Sequence, residues 1–144
     1  CPTESILIAR SRKVRSSQSR VLNTNTPDGG FKRWMDAEAV DIIQPDIAWC
    51  GGLSEILKIA SMSTSYDLIT IAHFGASPAG MAFSSSQSPI HTPYVETIPK
   101  EAVTSYFFGE ALDLKNGIVT VSEKPGFGFN IDDSKVESES LIEF

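Results

Sequence analysis

The sequence predicts an α/β fold in which helices alternate with the strands of a parallel sheet. Three observations predict it. Apolar residues recur at helical spacing over 31–35 and 53–64, and a short strand-like stretch follows each, at 40–45 and 68–72. Leu68 to Ala72 is apolar save for Thr70, the pattern of a strand covered on both faces. Consecutive strand candidates end in an ionisable residue: Asp46, His73 and Glu96. In parallel βα architectures functional groups gather where strands give way to loops.

Taken in order, residues 1–27 show no sustained periodicity. SILIA at 5–9 is a possible short strand, but RSRKVRSSQSR dissolves into charge and serine, so this segment is expected to be poorly ordered. After Pro27-Asp28-Gly29-Gly30, the residues Phe31, Trp34 and Met35 share one helix face, and the helix is expected to end around Ala39. VDIIQP is β-branched and bounded by proline, which reads as a strand. Gly51-Gly52 opens the next helix. Its buried face is expected to hold Leu53, Ile56, Leu57, Ala60 and Ser63-Thr64, with Glu55 and Lys58 pointing away.

Residues 75–90 are small and serine-rich, with a short helix near 79–86, and PYVETI at 93–98 is a third strand candidate. Beyond Glu110 apolar and polar residues alternate around Asn116-Gly117, the signal for a hairpin at 112–122. KPGFGFNID lacks both GxGxxG spacing and a strand-to-helix context, so it reads as a turn leading into an extended tail. The acidic stretch 134–144 is expected to fray. One domain over 28–133 remains.

Composition narrows the function. The chain has 144 residues, 41% of them hydrophobic and 21% charged, ordinary values for a globular protein. No apolar run is long enough to span a membrane, and no apolar stretch behind a basic one marks a secretory signal. Cys1 and Cys50 form neither a disulfide framework nor a zinc signature. A cytoplasmic protein is expected. The net charge is −6, although Arg10, Arg12, Lys13, Arg15 and Arg20 make the first residues basic. An acidic body argues against nucleic acid as a partner. The basic stretch reads as a solvated tail.

Asp46, His73 and Glu96 are the candidate catalytic residues. Histidine takes and gives protons near neutrality, and a neighbouring carboxylate fixes its tautomer and raises its basicity. A further carboxyl group could hydrogen-bond an oxyanion if protonated. Each residue also has a plainer reading. Asp46 follows a proline and could close a local Asx turn. His73 could be a hydrogen-bonded structural residue and Glu96 an exposed acid. His91, between prolines, reads as solvated, and Cys50 as a small loop thiol.

The stretch AVDIIQPDIAWCGGLSEILKIASMSTSYDLITIAHFG, followed by QSP, YVE and KPGFGFNID, resembles the sixth and seventh βα units of the mandelate racemase branch of the enolase superfamily. Within that branch it is most similar to acid-sugar dehydratases of the rhamnonate dehydratase type. The likeness runs from residue 28 to about 133. It implies the C-terminal part of an enolase-type (β/α) TIM-like barrel, incomplete here, with a C-terminal hairpin and extended tail. It implies a dyad of Asp46 and His73, with Glu96 contacting the developing enolate. His73 would remove the proton α to a carboxylate of a small sugar acid, the enediolate would be stabilised by magnesium, and the β-hydroxyl would then leave. Homo-oligomers are common in the family.

The resemblance also shows gaps. The family holds magnesium through acids ending the third, fourth and fifth strands. The first two positions have no counterpart in this sequence. The third corresponds to RVLNTNTPDGG, which has no acid between Arg20 and Asp28. Asp28 belongs to the loop beyond, so no metal ligand is assigned, and this chain alone is not expected to bind magnesium. Two alternatives stay open beside the dehydratase: a hydroxy-acid racemase or epimerase using the same dyad, and a catalytically inactive remnant. Cycloisomerase relatives with a lysine base fit less well, because Asp46 stands at that strand end.

Overall fold

The computed structural model describes residues 5–7, 21–24, 29–97 and 114–141. Their elements are β1 (Ser5–Leu7), β2 (Val21–Thr24), α1 (Gly29–Asp36), β3 (Ile42–Pro45), α2 (Leu53–Ser65), β4 (Ile69–Thr70), α3 (Pro78–Ser86), β5 (Leu114–Lys115) and β6 (Ile118–Thr120), with a 3-10 turn at Asp133–Lys135. The basic residues Arg10 to Arg20, and Asp28, lie outside the described residues.

β2, β3 and β4 form one parallel sheet in that order. Val21 pairs with Ile42, and Ile42 in turn with Ile69. α1 joins β2 to β3 and α2 joins β3 to β4, the crossover that parallel strands require. A second, antiparallel sheet has the order β1-β6-β5. Asn116 (φ 52°) and Gly117 (φ 79°) make the two-residue turn of the expected hairpin. Positive φ at both positions gives the twist that antiparallel strands favour.

The core lies between the helices and one face of the parallel sheet. Ile43 and Ala72 from the strands meet Phe31 and Met35 of α1, Ile56, Ile59 and Ala60 of α2, and Phe83 of α3. The opposite row, Ile42, Gln44, Ile69 and Ile71, is only half-buried. Period-two alternation continues that row to Asp46 and His73. The expectation that 68–72 is covered on both faces is therefore corrected. Among the described residues, helices cover only one side, and the regular strand narrows to Ile69–Thr70.

Other expectations shift as well. Phe31 and Met35 are buried, but Trp34 is 48% exposed, because the i, i+4 pair faces the sheet and Trp34 sits a quarter-turn away. α2 buries Ile56, Ile59, Ala60 and Ser63. Leu57 faces outward, and the Glu55 side chain, expected to point away, is only 14% exposed. Residues 92–97 form no regular strand, which corrects the strand expected at 93–98 over its described part. They are tied to β4 and the loop beyond it by Thr70 N–H to His91 O (2.8 Å) and Ala76 N–H to Glu96 O (3.0 Å). Two strands fall within 1–27: β1, inside the possible strand at 5–9, and β2, which the sequence did not suggest.

α1 and α2 end alike. Glu38 (φ 49°) and Asp67 (φ 57°) adopt the left-handed conformation two residues past each helix. The paired bonds Ala39 N–H to Trp34 O and Glu38 N–H to Met35 O close the first; Leu68 N–H to Ser63 O and Asp67 N–H to Thr64 O close the second. This motif satisfies the last helical carbonyls and turns the chain sharply into the next strand. No helix among the described residues is long and apolar enough to cross a membrane.

Candidate active site

Asp46 and His73 are positioned by one ladder. Ile71 N–H bonds to Ile43 O and His73 N–H to Pro45 O, each at 2.9 Å, which carries the β3–β4 pairing past its regular strands to an Asp46–His73 bridge. Proline at 45 offers the ladder no N–H, but its carbonyl still accepts from β4's extension and so keeps the pairing going to His73. The two candidates thus stand side by side at one rim.

Beyond the ladder the Asp46 side chain turns to its own loop. Its Oδ1 accepts the Ala48 N–H at 2.8 Å, and its backbone carbonyl accepts Cys50 N–H at 2.8 Å. This is the local Asx turn, and it leaves the residue 8% exposed. Gly51 (φ 113°) and Gly52 (φ 87°) then swing the chain into α2. Cys50 is fully buried beneath this loop. Burial first, then the charges of Asp46 and Glu55, push its thiol above the usual value, so little thiolate forms.

His73 and Glu96 do meet. His73 Nδ1 is 2.8 Å from Glu96 Oε2, with both side chains about a quarter to a third exposed. The contact is short, but it is off the line of a straight N–H bond. The same Oε2 accepts the Phe74 N–H at 3.0 Å. Glu96 is thus held at both ends, by Phe74 through its carboxylate and by Ala76 through its carbonyl. His91 is half-buried, and its carbonyl serves the link to Thr70.

No sequence signal marks Phe74. Its backbone is left-handed (φ 54°), its ring is 50% exposed, and it packs edge-on to the His73 imidazole with centroids 5.3 Å apart at 89°. The loop it begins is clamped by α3. A Cβ on Gly80 would lie 2.4 Å from Gly75 O, and one on Gly75 would lie 2.9 Å from Ala72 O. Ser77 caps the helix through Gly80 N–H (3.1 Å), with Pro78 opening its first turn.

The magnesium implied by the resemblance would need several oxygen ligands, chiefly carboxylates. β2 lies beside β3 but carries no acid. Asp46 is engaged in its turn, and Glu96 with His73 and Phe74. Among the described residues no three His, Cys, Asp or Glu gather as a cation site, so this donor set does not fit the metal.

Comparison with known proteins adds a separate finding. The family described as Enolase C-terminal domain-like matches residues 26–135. Arabinonate dehydratase of Saccharolobus solfataricus is 30% identical over 74% of this chain and 31% of its own length. D-galactarolactone cycloisomerase of Agrobacterium fabrum is 32% identical over 92% of this chain and 37% of its own length. The solved structure of L-rhamnonate dehydratase from Gibberella zeae superposes with a TM-score of 0.62 at 32% identity, covering 74% of this chain and 29% of that one. The chain thus spans about a third of the length of the curated relatives it matches.

Proposed function

Because the chain belongs to the enolase C-terminal domain-like family, we propose that it carries the proton-transfer side of an acid-sugar dehydratase site. The observation that supports this most is that His73 stands in backbone register beside Asp46 on the adjoining strand and has its Nδ1 2.8 Å from Glu96 Oε2. The similarity to dehydratases of sugar acids supports the substrate class.

In this reading a sugar acid lies over the rim with its α carbon facing His73. The imidazole takes the α proton, and the C–H electron pair moves into an enediolate. The C–O bond to the β-hydroxyl then breaks, and His73 returns its proton to the leaving oxygen as water forms. The enol that remains tautomerises to a 2-keto-3-deoxy acid. Glu96, 2.8 Å from Nδ1, orients the ring on the side away from the substrate. Stabilising the enediolate takes positive charge at the substrate carboxylate, and the described residues do not provide it.

A second reading has its own support, the cycloisomerase that matches over 92% of this chain. It would use the same abstraction from a sugar lactone, with a ring oxygen leaving instead of a hydroxyl. The test is a panel of C5 and C6 aldonic acids and aldaric lactones offered to the longest polypeptide the gene encodes, with 2-keto-3-deoxy acids detected by NMR. Dehydration of an aldonic acid supports the first reading. Turnover of lactones alone supports the second, and turnover of neither opposes both.

A further inference from the structure

We propose that Phe74 is the positioning residue of the His73–Glu96 pair: its N–H holds the carboxylate and its ring holds the imidazole, so that Nδ1 is kept facing Glu96. The proposal rests on the reading of His73 as the base. Three features converge on Phe74. A bulky residue with φ 54° is a genuine outlier, and such strain survives only where the surroundings over-determine it. Burial does not account for it, since the ring is 50% exposed. Its N–H goes to Glu96 Oε2 at 3.0 Å and its ring lies edge-on to the His73 imidazole at 5.3 Å, while its carbonyl accepts the Ser77 N–H at 3.1 Å.

The neighbouring residues keep Phe74 from relaxing. Gly75 is pressed between Ala72 O and Val95 on one side and Gly80 on the other. Ala76 N–H is bound to Glu96 O at 3.0 Å, and Ser77 caps α3. The left-handed turn at residue 74 is what aims its N–H back at the carboxylate. An ionised carboxylate only accepts hydrogen bonds, so a neutral His73 facing Glu96 through Nδ1 carries its proton there. The lone pair is then at Nε2. The Phe74 ring limits rotation of the imidazole away from this arrangement.

The chain has two histidines, His73 and His91, so its imidazole signals are simple to assign. Long-range 1H–15N correlation spectra distinguish a single tautomer, whose ring nitrogens resonate far apart, from a mixture, whose nitrogens converge. We expect neutral His73 in the unmodified chain to show the Nδ1–H pattern, and His91 a mixture. Phe74→Gly keeps the N–H and suits the left-handed backbone but removes the ring. It should fold at least as stably by thermal melting, yet move His73 toward the mixture, as should Glu96→Gln. Phe74→Leu, which keeps apolar bulk, should fall between. A mixture at His73 in the unmodified chain overturns the proposal without any variant, and so does an unchanged pattern in Phe74→Gly. These spectra need no turnover. A mixture at His73 in the unmodified chain, with His73 still essential for α-proton exchange, would sink the positioning role alone. The expected tautomer and its loss in Phe74→Gly, with His73 dispensable for α-proton exchange, would sink the base assignment alone.

Discussion

The backbone N–H of His73 bonds to Pro45 O, one residue before Asp46, and sets the two candidate side chains on adjoining strands at one rim. Yet the Asp46 carboxylate accepts from Ala48 N–H, so its shape and its charge have separable uses. Asp46→Ala should cost about 1–2 kcal/mol, the worth of a buried side-chain acceptor to a backbone donor. Asp46→Asn keeps an acceptor and should stay within about 0.5 kcal/mol of the parent. Urea unfolding of both variants checks this. Equal losses would show that charge, not the turn, holds the residue in place.

Gly80→Ala should be among the most damaging single-methyl changes. The added carbon would sit 2.4 Å from Gly75 O and 2.7 Å from Gly75 C and Cα. Those are backbone atoms and cannot rotate aside, so α3 or the 73–75 loop must shift. A loss of about 1–3 kcal/mol is expected, as for overpacked cores. A melting temperature equal to the parent's would contradict the clamp.

Glu38→Gly should stabilise the chain. Glu38 is exposed, left-handed (φ 49°), and closes α1 by backbone bonds that any residue can make. Glycine removes a strain of about 1–2 kcal/mol but adds freedom to the unfolded chain, leaving a net gain of about 0.5–1 kcal/mol. Chemical denaturation would detect it as a higher midpoint with an unchanged slope.

Magnesium added to this chain should give no tight, saturable heat of binding by calorimetry. The sequence has no acid between Arg20 and Asp28, and the described carboxylates at the rim are already engaged. A sub-millimolar site would overturn that reading of the donor set.

Much of the fold was legible because periodicity and turn chemistry agree. Asn116-Gly117 specifies its hairpin, and Phe31 and Met35 specify the face of α1. The face of α2 was misread because Leu57 and Ile59 are equally apolar, and only packing against the sheet chooses Ile59. β2 was missed because VLNT shows no alternation of its own; its pairing to β3 comes from the sheet. At the site, strand ends pointed to Asp46, His73 and Glu96, and the Asx turn was foreseeable from Pro45-Asp46. The left-handed Phe74 was not, because no glycine or asparagine marks that position.

The most direct measurement is α-proton exchange in deuterated water, followed by NMR, for the longest encoded polypeptide with a sugar acid it turns over. If His73 is the base, His73→Asn should slow deuterium entry at the α carbon by at least about 100-fold while the protein stays folded. Exchange at the parent's rate in His73→Asn would contradict the account.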